Sequence, residues 1–215
     1  MERVLVIAPH TDDEVLGAGG AIIKHVDNSD YVCVCFVAIR EKPSKRVQHK
    51  EAYTAKEVLG YNDVTFLHLP DEYLDERIID TVEPLEKVYK AVAPTIVYTC
   101  NGTDSNQDHQ AVFKATNIVC RPHASTLKKL FSYEVPSSTD QMPKVASNFA
   151  PNYYNVLSNM YMMQKEMAMK KYESELKEYP NPRSIEGLNI YAKFRGLEVN
   201  QEFAEAYMLL RECNE

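Results

Sequence analysis

The chain has 215 residues, 45% of them hydrophobic and 26% charged. That balance excludes a wholly disordered chain and predicts a single domain over residues 1–215. A domain of this size buries roughly 70% of its unfolded surface, so neither disulfides nor a structural metal is needed to hold it folded. Lys+Arg 24 against Asp+Glu 31 gives a net charge of −7, and no Lys/Arg-rich run is present, which argues against nucleic acid as a partner.

The apolar run Val4–Ala8 predicts a buried strand of a parallel sheet, followed by a loop, Pro9 to Asp13, and a helix, Glu14 to Asp27. Tyr31–Ala38 predicts a second buried strand, Ser44–Gly60 a helix capped by Ser44 and stopped by Gly60, and Val64–Leu69 a third strand. A helix over Asp75–Val92, a strand over Thr95–Thr99, a helix over Asp108–Cys120 and a strand over Lys129–Val135 follow. This alternation predicts a doubly wound α/β sheet with helices on both faces. The last third predicts a helical segment packed on that sheet: a long helix over Val156–Glu178, then shorter ones near Ser184–Phe194 and Gln201–Arg211. Met160, Met163 and Met167 share one helical face and are expected in the core.

The five cysteines are Cys33, Cys35, Cys100, Cys120 and Cys213. Their odd number and the lack of framework spacing point to a reducing compartment, with Cys33 and Cys35 read as buried thiols. No secretory leader pattern follows Met1 and no run reaches the ~18 apolar residues of a membrane span. The expectation is a cytoplasmic protein, with a homo-oligomer not excluded.

The densest cluster of reactive side chains, Ala8-Pro9-His10-Thr11-Asp12-Asp13-Glu14, directly follows the first strand. In open α/β sheets, sites form outside the carboxyl ends of strands. His10 and Asp13, three apart, can converge on one cation while Asp12 points elsewhere; alternatively the stretch is a solvated turn in which Asp12 or Asp13 caps the helix. A second cluster, Asp104-Ser105-Asn106-Gln107-Asp108-His109, follows the fourth strand. His109 can complete a two-His, one-Asp set with an open position, the catalytic zinc type. Otherwise Asp108 caps a helix and His109 lies on the surface. Gly17-Ala-Gly-Gly20 fails the dinucleotide-binding spacing because Ile22 stands where the third glycine belongs. These glycines are expected to let the helix approach the sheet. His25, His68 and His123 lack a carboxylate at ligand spacing and are read as structural or surface groups. Ser137 and Ser138 lack a nucleophile elbow and are expected to line a pocket or cap a turn. Tyr153 and Tyr154 are read either as a stacking face for a sugar or as core.

PHTDDE at 9–14 and DSNQDHQAV at 104–112 resemble the HPDDE and HxDH motifs of the PIG-L/LmbE-like family of zinc-dependent N-acetylglucosaminyl deacetylases. YEVPSST at 133–139, PNPRSIEGLNIYAKFRG at 180–196 and AEAY at 204–207 are also similar to that family, so the resemblance spans nearly the whole chain. It implies a Rossmann-like sheet, one Zn²⁺ per chain, and removal of the acetyl group from an N-acetylated amino sugar: free, glycosidic or nucleotide-linked. It also implies His10, Asp13 and His109 as metal ligands and Asp12 as general base. Asp104 and Asp108 are then candidates to orient the histidines. Two positions depart from the pattern. Asn106 replaces the first histidine of HxDH, and is read either as a donor to the developing oxyanion or as a turn cap. Gln48 stands where relatives carry an arginine. Hydrolysis of a different small-molecule amide, and a catalytically weak sugar- or metal-binding protein, are the alternatives.

Overall fold

The computed structural model describes residues 1–122, 126–143, 145 and 149–213; His123 lies outside them. The elements are β1 (Arg3–Ala8), α1 (Asp13–Asp27), β2 (Tyr31–Ile39), α2 (Lys45–Leu59), β3 (Asp63–Pro70), α3 (Ile78–Val92) and β4 (Ile96–Cys100). There follow α4 (Gln107–Val119), β5 (Lys129–Tyr133), β6 (Tyr153–Leu157), α5 (Asn159–Met169), α6 (Ile185–Leu197) and β7 (Phe203–Glu212). All strands join one sheet in the order β3-β2-β1-β4-β5-β7-β6. The first five pair in parallel, while β7 runs antiparallel to both β5 and β6. The expected mostly parallel α/β sheet is therefore present.

β1 is the central ribbon: Val4 pairs with Val32 on one side and Ile96 on the other. Val4 through Ala8 are fully buried, which is why this stretch reads as a continuous apolar run. The chain winds outward from β1 to β3, then crosses back to β4. The gap between the carboxyl ends of β1 and β4 is thus the topological switch point of the sheet.

α1 lies close against the sheet and α5, buried from Asp13 to Ile23. A Cβ on Gly17 would sit 2.1 Å from the Tyr133 ring, and one on Gly20 would sit 2.5 Å from Leu157. The glycines are therefore clearance for close packing. The same helix is fastened by Glu205 of β7, whose carboxylate accepts the N–H of Gly20 at 2.7 Å and of Ala21 at 2.8 Å. Lys165 of α5 donates to Leu16 O at 3.0 Å and to Glu205 at 2.6 Å, and Tyr207 donates to Glu205 at 2.6 Å. Both ends of the Leu16–Gly20 helical rung are thereby held by buried side chains.

The C-terminal third departs from the sequence reading. Val156 and Leu157 belong to a strand, and the helix expected to end at Glu178 spans only Asn159–Met169, with Ser158 as its cap. Residues 203–212, expected as a helix, form β7. Ala, Glu, Met and Leu favour a helix intrinsically, but the stretch sits between β5 and β6, where the ladder on both sides decides the outcome. Met160, Met163 and Met167 are exposed, not core; Met162 and Met169 occupy the buried face instead. Cys33, Cys35, Cys100 and Cys120 are buried free thiols. No helix among the described residues is long and apolar enough to cross a membrane.

Replacing Glu205 with Gln should leave the Lys165 ammonium buried without its counter-charge and cost about 3–5 kcal/mol. Urea unfolding checks this; a loss below about 1 kcal/mol would show that the pair does not hold α1.

Candidate active site

Each parallel strand from β1 to β4 delivers charged or polar side chains to one edge. β1 leads into Pro9 and then His10 and Asp12, and Asp13 starts α1. Asp12 has φ 107°, a left-handed conformation that L-residues with a side chain rarely adopt. Its backbone N–H is taken by Glu14 at 3.2 Å, and its carbonyl accepts Val15 N–H and Leu16 N–H. Glu14 is in turn held by the Tyr172 hydroxyl at 2.5 Å, and burial pushes its carboxyl up to about 8.

His10 Nδ1 lies 3.4 Å from Asp13 Oδ2, and His109 Nε2 lies 3.3 Å from the same oxygen. All three residues are buried, and one ligand atom from each can meet within 4.8 Å of the others. The second ring nitrogens face carboxylates. His10 Nε2 is 2.8 Å from Asp71 and 3.2 Å from Asp108, and His109 Nδ1 is 3.1 Å from Asp104. Asp104 is fixed by the hydroxyls of Ser138 and Thr139 at 2.9 and 2.6 Å. A carboxylate behind each imidazole fixes its tautomer and raises its basicity, the usual support of a metal-binding histidine.

Burial opposes charge on the imidazoles. The carboxylates of Asp108, Asp13 and Asp71 outweigh it and hold His10 well above its ordinary value. Asp13 and Asp104 likewise raise His109 to about 9. Burial pushes Asp13 up, yet His109 and His10 hold it well below the usual carboxylate range. Asp12 differs: burial raises it to about 7, with Asp13 adding to the rise and Arg183 and Arg40 opposing it. Neither carboxylate oxygen of Asp12 has a hydrogen-bond partner.

Asn106 caps α4. Its side-chain oxygen accepts the N–H of Asp108 at 2.8 Å and of His109 at 3.4 Å. The turn-cap alternative is thus observed, and the cap aims His109. Gln48 ties a loop, bonding both the N–H and the C=O of Arg40 and the C=O of Pro43. Ser137 accepts from Arg183 Nε at 2.8 Å. His25, read as lacking a carboxylate, in fact pairs with Asp30 at 2.8 Å, away from these residues at the opposite end of α1. Tyr153, on the edge strand β6, packs on Phe131 of β5 and is exposed, so it does not belong to the core.

The sequence reading missed Asp71, Arg40, Glu175 and Arg183. Asp71 and Arg40 each follow a parallel strand at the same edge, so the carboxyl-end rule could have found them. A cleft of about 870 Å³ includes Arg40, His68, Asp71 and Tyr73 in its wall, and so adjoins His10 through Asp71. Arg183 reaches Asp12 from far along the chain, and no local pattern marks it.

The family model described as PIG-L, GlcNAc-PI de-N-acetylase, matches residues 5–120. The chain belongs to the PIG-L family. YaiS of Escherichia coli (strain K12), described as an uncharacterized deacetylase, is 27% identical over 161 residues, covering 71% of this chain and 85% of its own. The N,N'-diacetylchitobiose deacetylase of Pyrococcus horikoshii, solved with an inhibitor, superposes with a TM-score of 0.78 at 19% identity, covering 97% of this chain and 84% of its own. GalB of Pseudomonas putida KT2440, a 4-carboxy-2-hydroxymuconate hydratase, shares the fold at a TM-score of 0.79 and 18% identity over 100% of this chain and 98% of its own. The shared fold therefore accompanies more than one chemistry.

Asn106→Ala should cost about 1 kcal/mol of stability, whereas Asn106→Ser, an uncharged cap of similar strength, should cost little. Denaturant melts of the two variants check this; equal melts for Ala and wild type would remove the capping role.

Proposed function

We propose that this chain is a metal-dependent N-deacetylase that hydrolyses the acetamide of an N-acetylated amino sugar. The observation that carries this reading is the convergence of His10, Asp13 and His109 beside a buried Asp12 whose carboxylate makes no hydrogen bond among the described residues. His10 Nδ1, His109 Nε2 and Asp13 Oδ1 have no hydrogen-bond partner although buried. Buried carboxylates crowd the same space: Asp12, Asp13, Asp104 and Asp108. Orphaned donor atoms in an acidic pocket fit a divalent cation, and two nitrogens with one carboxylate oxygen favour zinc.

His10, Asp13 and His109 would hold the ion, which when bound supplies a Lewis acid to the acetamide carbonyl and the attacking water. Asp108 and Asp71 steady His10, and Asp104 steadies His109. Asp12 takes a proton from the attacking water, whose oxygen bonds to the carbonyl carbon. The C–N bond then breaks, and Asp12 returns the proton to the leaving amine, giving the free amine and acetic acid, which ionises to acetate in water. Burial raises the Asp12 carboxyl, which favours its taking up a proton, and Arg183 opposes the rise. Asn106, held as the cap, keeps its side-chain N–H₂ as a neutral donor toward the substrate. The buried free thiols support a reducing location, the cytoplasm in this reading.

Purified protein should carry about one equivalent of metal, and both His10→Ala and His109→Ala should lose most of it. Full retention in both variants would overturn the site. Asp12→Asn should keep the metal and lose about 10²-fold or more in turnover. Acetate release across free, glycosidic and nucleotide-linked N-acetyl sugars and other small amides identifies the substrate class. Turnover only on the non-sugar amides would replace the amino-sugar reading, and no turnover on any would favour a binding protein.

A further inference from the structure

Arg183 sits beside the proposed base in a manner that packing alone does not require. Its Nη1 lies 3.6 Å from Asp12 Oδ2 and 3.1 Å from Glu175 Oε2. Its Nε donates to Ser137 Oγ at 2.8 Å, and Nη2 has no hydrogen-bond partner among the described residues. Glu175 is itself buried and takes Arg40 Nη1 on its other oxygen at 2.6 Å. Asn181 Oδ1 accepts the backbone N–H of Arg183 at 2.9 Å. Nε and Nη1 are thus held by protein on two sides of the guanidinium, and Nη2 has donors to spare among the described residues.

We propose that Arg183 is a catalytic residue, the cation that receives the negative charge developing on the acetamide oxygen. The inference rests on the N-deacetylase reading above. In the resting site Asp12 is the nearby anion, and it lies out of contact with water. During attack, the water's proton passes to Asp12 and its oxygen bonds to the carbonyl carbon. The C=O π pair moves onto the carbonyl oxygen. Asp12 has then become neutral, and a new negative charge has appeared on the substrate a few ångströms away. A guanidinium held by Glu175 and Ser137 need not move to exchange one anion for the other, so its field is preorganised for the transition state. When the C–N bond breaks and Asp12 returns its proton to the amine, Asp12 is charged again and its attraction to Arg183 is restored.

Asn106 cannot supply this charge. It is neutral, and its oxygen is committed to the α4 cap. A positive group besides the proposed ion comes from the loop before α6. Arg183 interacts more strongly with the transition state than with the neutral acetamide, so it should act on kcat rather than on KM.

The test uses zinc-loaded full-length protein. Initial rates on the N-acetyl sugar that the wild type hydrolyses best give kcat and KM. Calorimetry gives the affinity for the methylphosphonamide of glucosamine, a tetrahedral anionic mimic, and for glucosamine itself. Arg183→Gln should lower kcat by about 10²–10³ with KM within about threefold. Binding of the phosphonamide should weaken by a similar factor, and glucosamine binding should be unchanged. Arg183→Lys, which keeps the charge, should recover at least about tenfold of the lost kcat, and added guanidinium should partly rescue Arg183→Ala.

An unchanged kcat, a loss confined to KM, equal losses in the Gln and Lys variants, or unchanged phosphonamide affinity would each overturn the proposal. A wild type that releases no acetate and binds no phosphonamide would overturn the deacetylase reading as well, and that result is seen before any variant is made.

Discussion

More carboxylate is buried at the carboxyl edge of this sheet than the neighbouring cations neutralise. Asp12, Asp13, Asp104, Asp108 and Glu175 lie out of water, with Asp71 half-buried beside them, and the basic partners of these six are His10, His109 and, farther out, Arg183 and Arg40. At low effective dielectric such an arrangement repels itself strongly, and it persists only if each charge is paired or a cation is supplied. Much of the surrounding architecture answers that demand. A carboxylate stands behind each imidazole, hydroxyls of the β5–β6 connection hold Asp104, and Glu175 fixes two guanidinium groups close to Asp12.

The sheet supplies the geometry for this. Because the winding direction reverses at β1, the loops after β1 and β4 open into the same gap, and residues nearly a hundred positions apart meet there. α1 must then start at a fixed place. Gly17 lets it press on Tyr133, and Glu205 with Lys165 locks one of its rungs. The histidine and carboxylates at its amino end inherit that rigidity. GalB shows that the same fold can accompany a hydratase, so function here follows from the side chains at the edge and not from the sheet.

The parallel half of the fold and the central cluster were legible because local pattern and tertiary role agree there. Val4–Ala8 is apolar because it is buried on both faces, and His10, Asp12 and Asp13 stand out because charge follows it at once. The C-terminal strands were not legible. In β7, helix-forming residues are held extended by two neighbouring strands, a constraint that no window of sequence contains. The exposed Met160, Met163 and Met167 show the related limit, since a one-sided apolar pattern gives a face but not what covers it. Arg183 was hidden for another reason: its partners Asp12, Glu175 and Ser137 come from separate segments that only folding brings together.

The backbone of Asp12 adds a tension of its own. A φ of 107° costs an L-residue of order 1–3 kcal/mol, and a buried carboxylate without hydrogen bonds adds to that. Glycine would relieve both. At this position the chain that folds most easily is one that has lost the carboxylate, so selection for stability alone would erase the residue, and its presence fits the base role proposed for it.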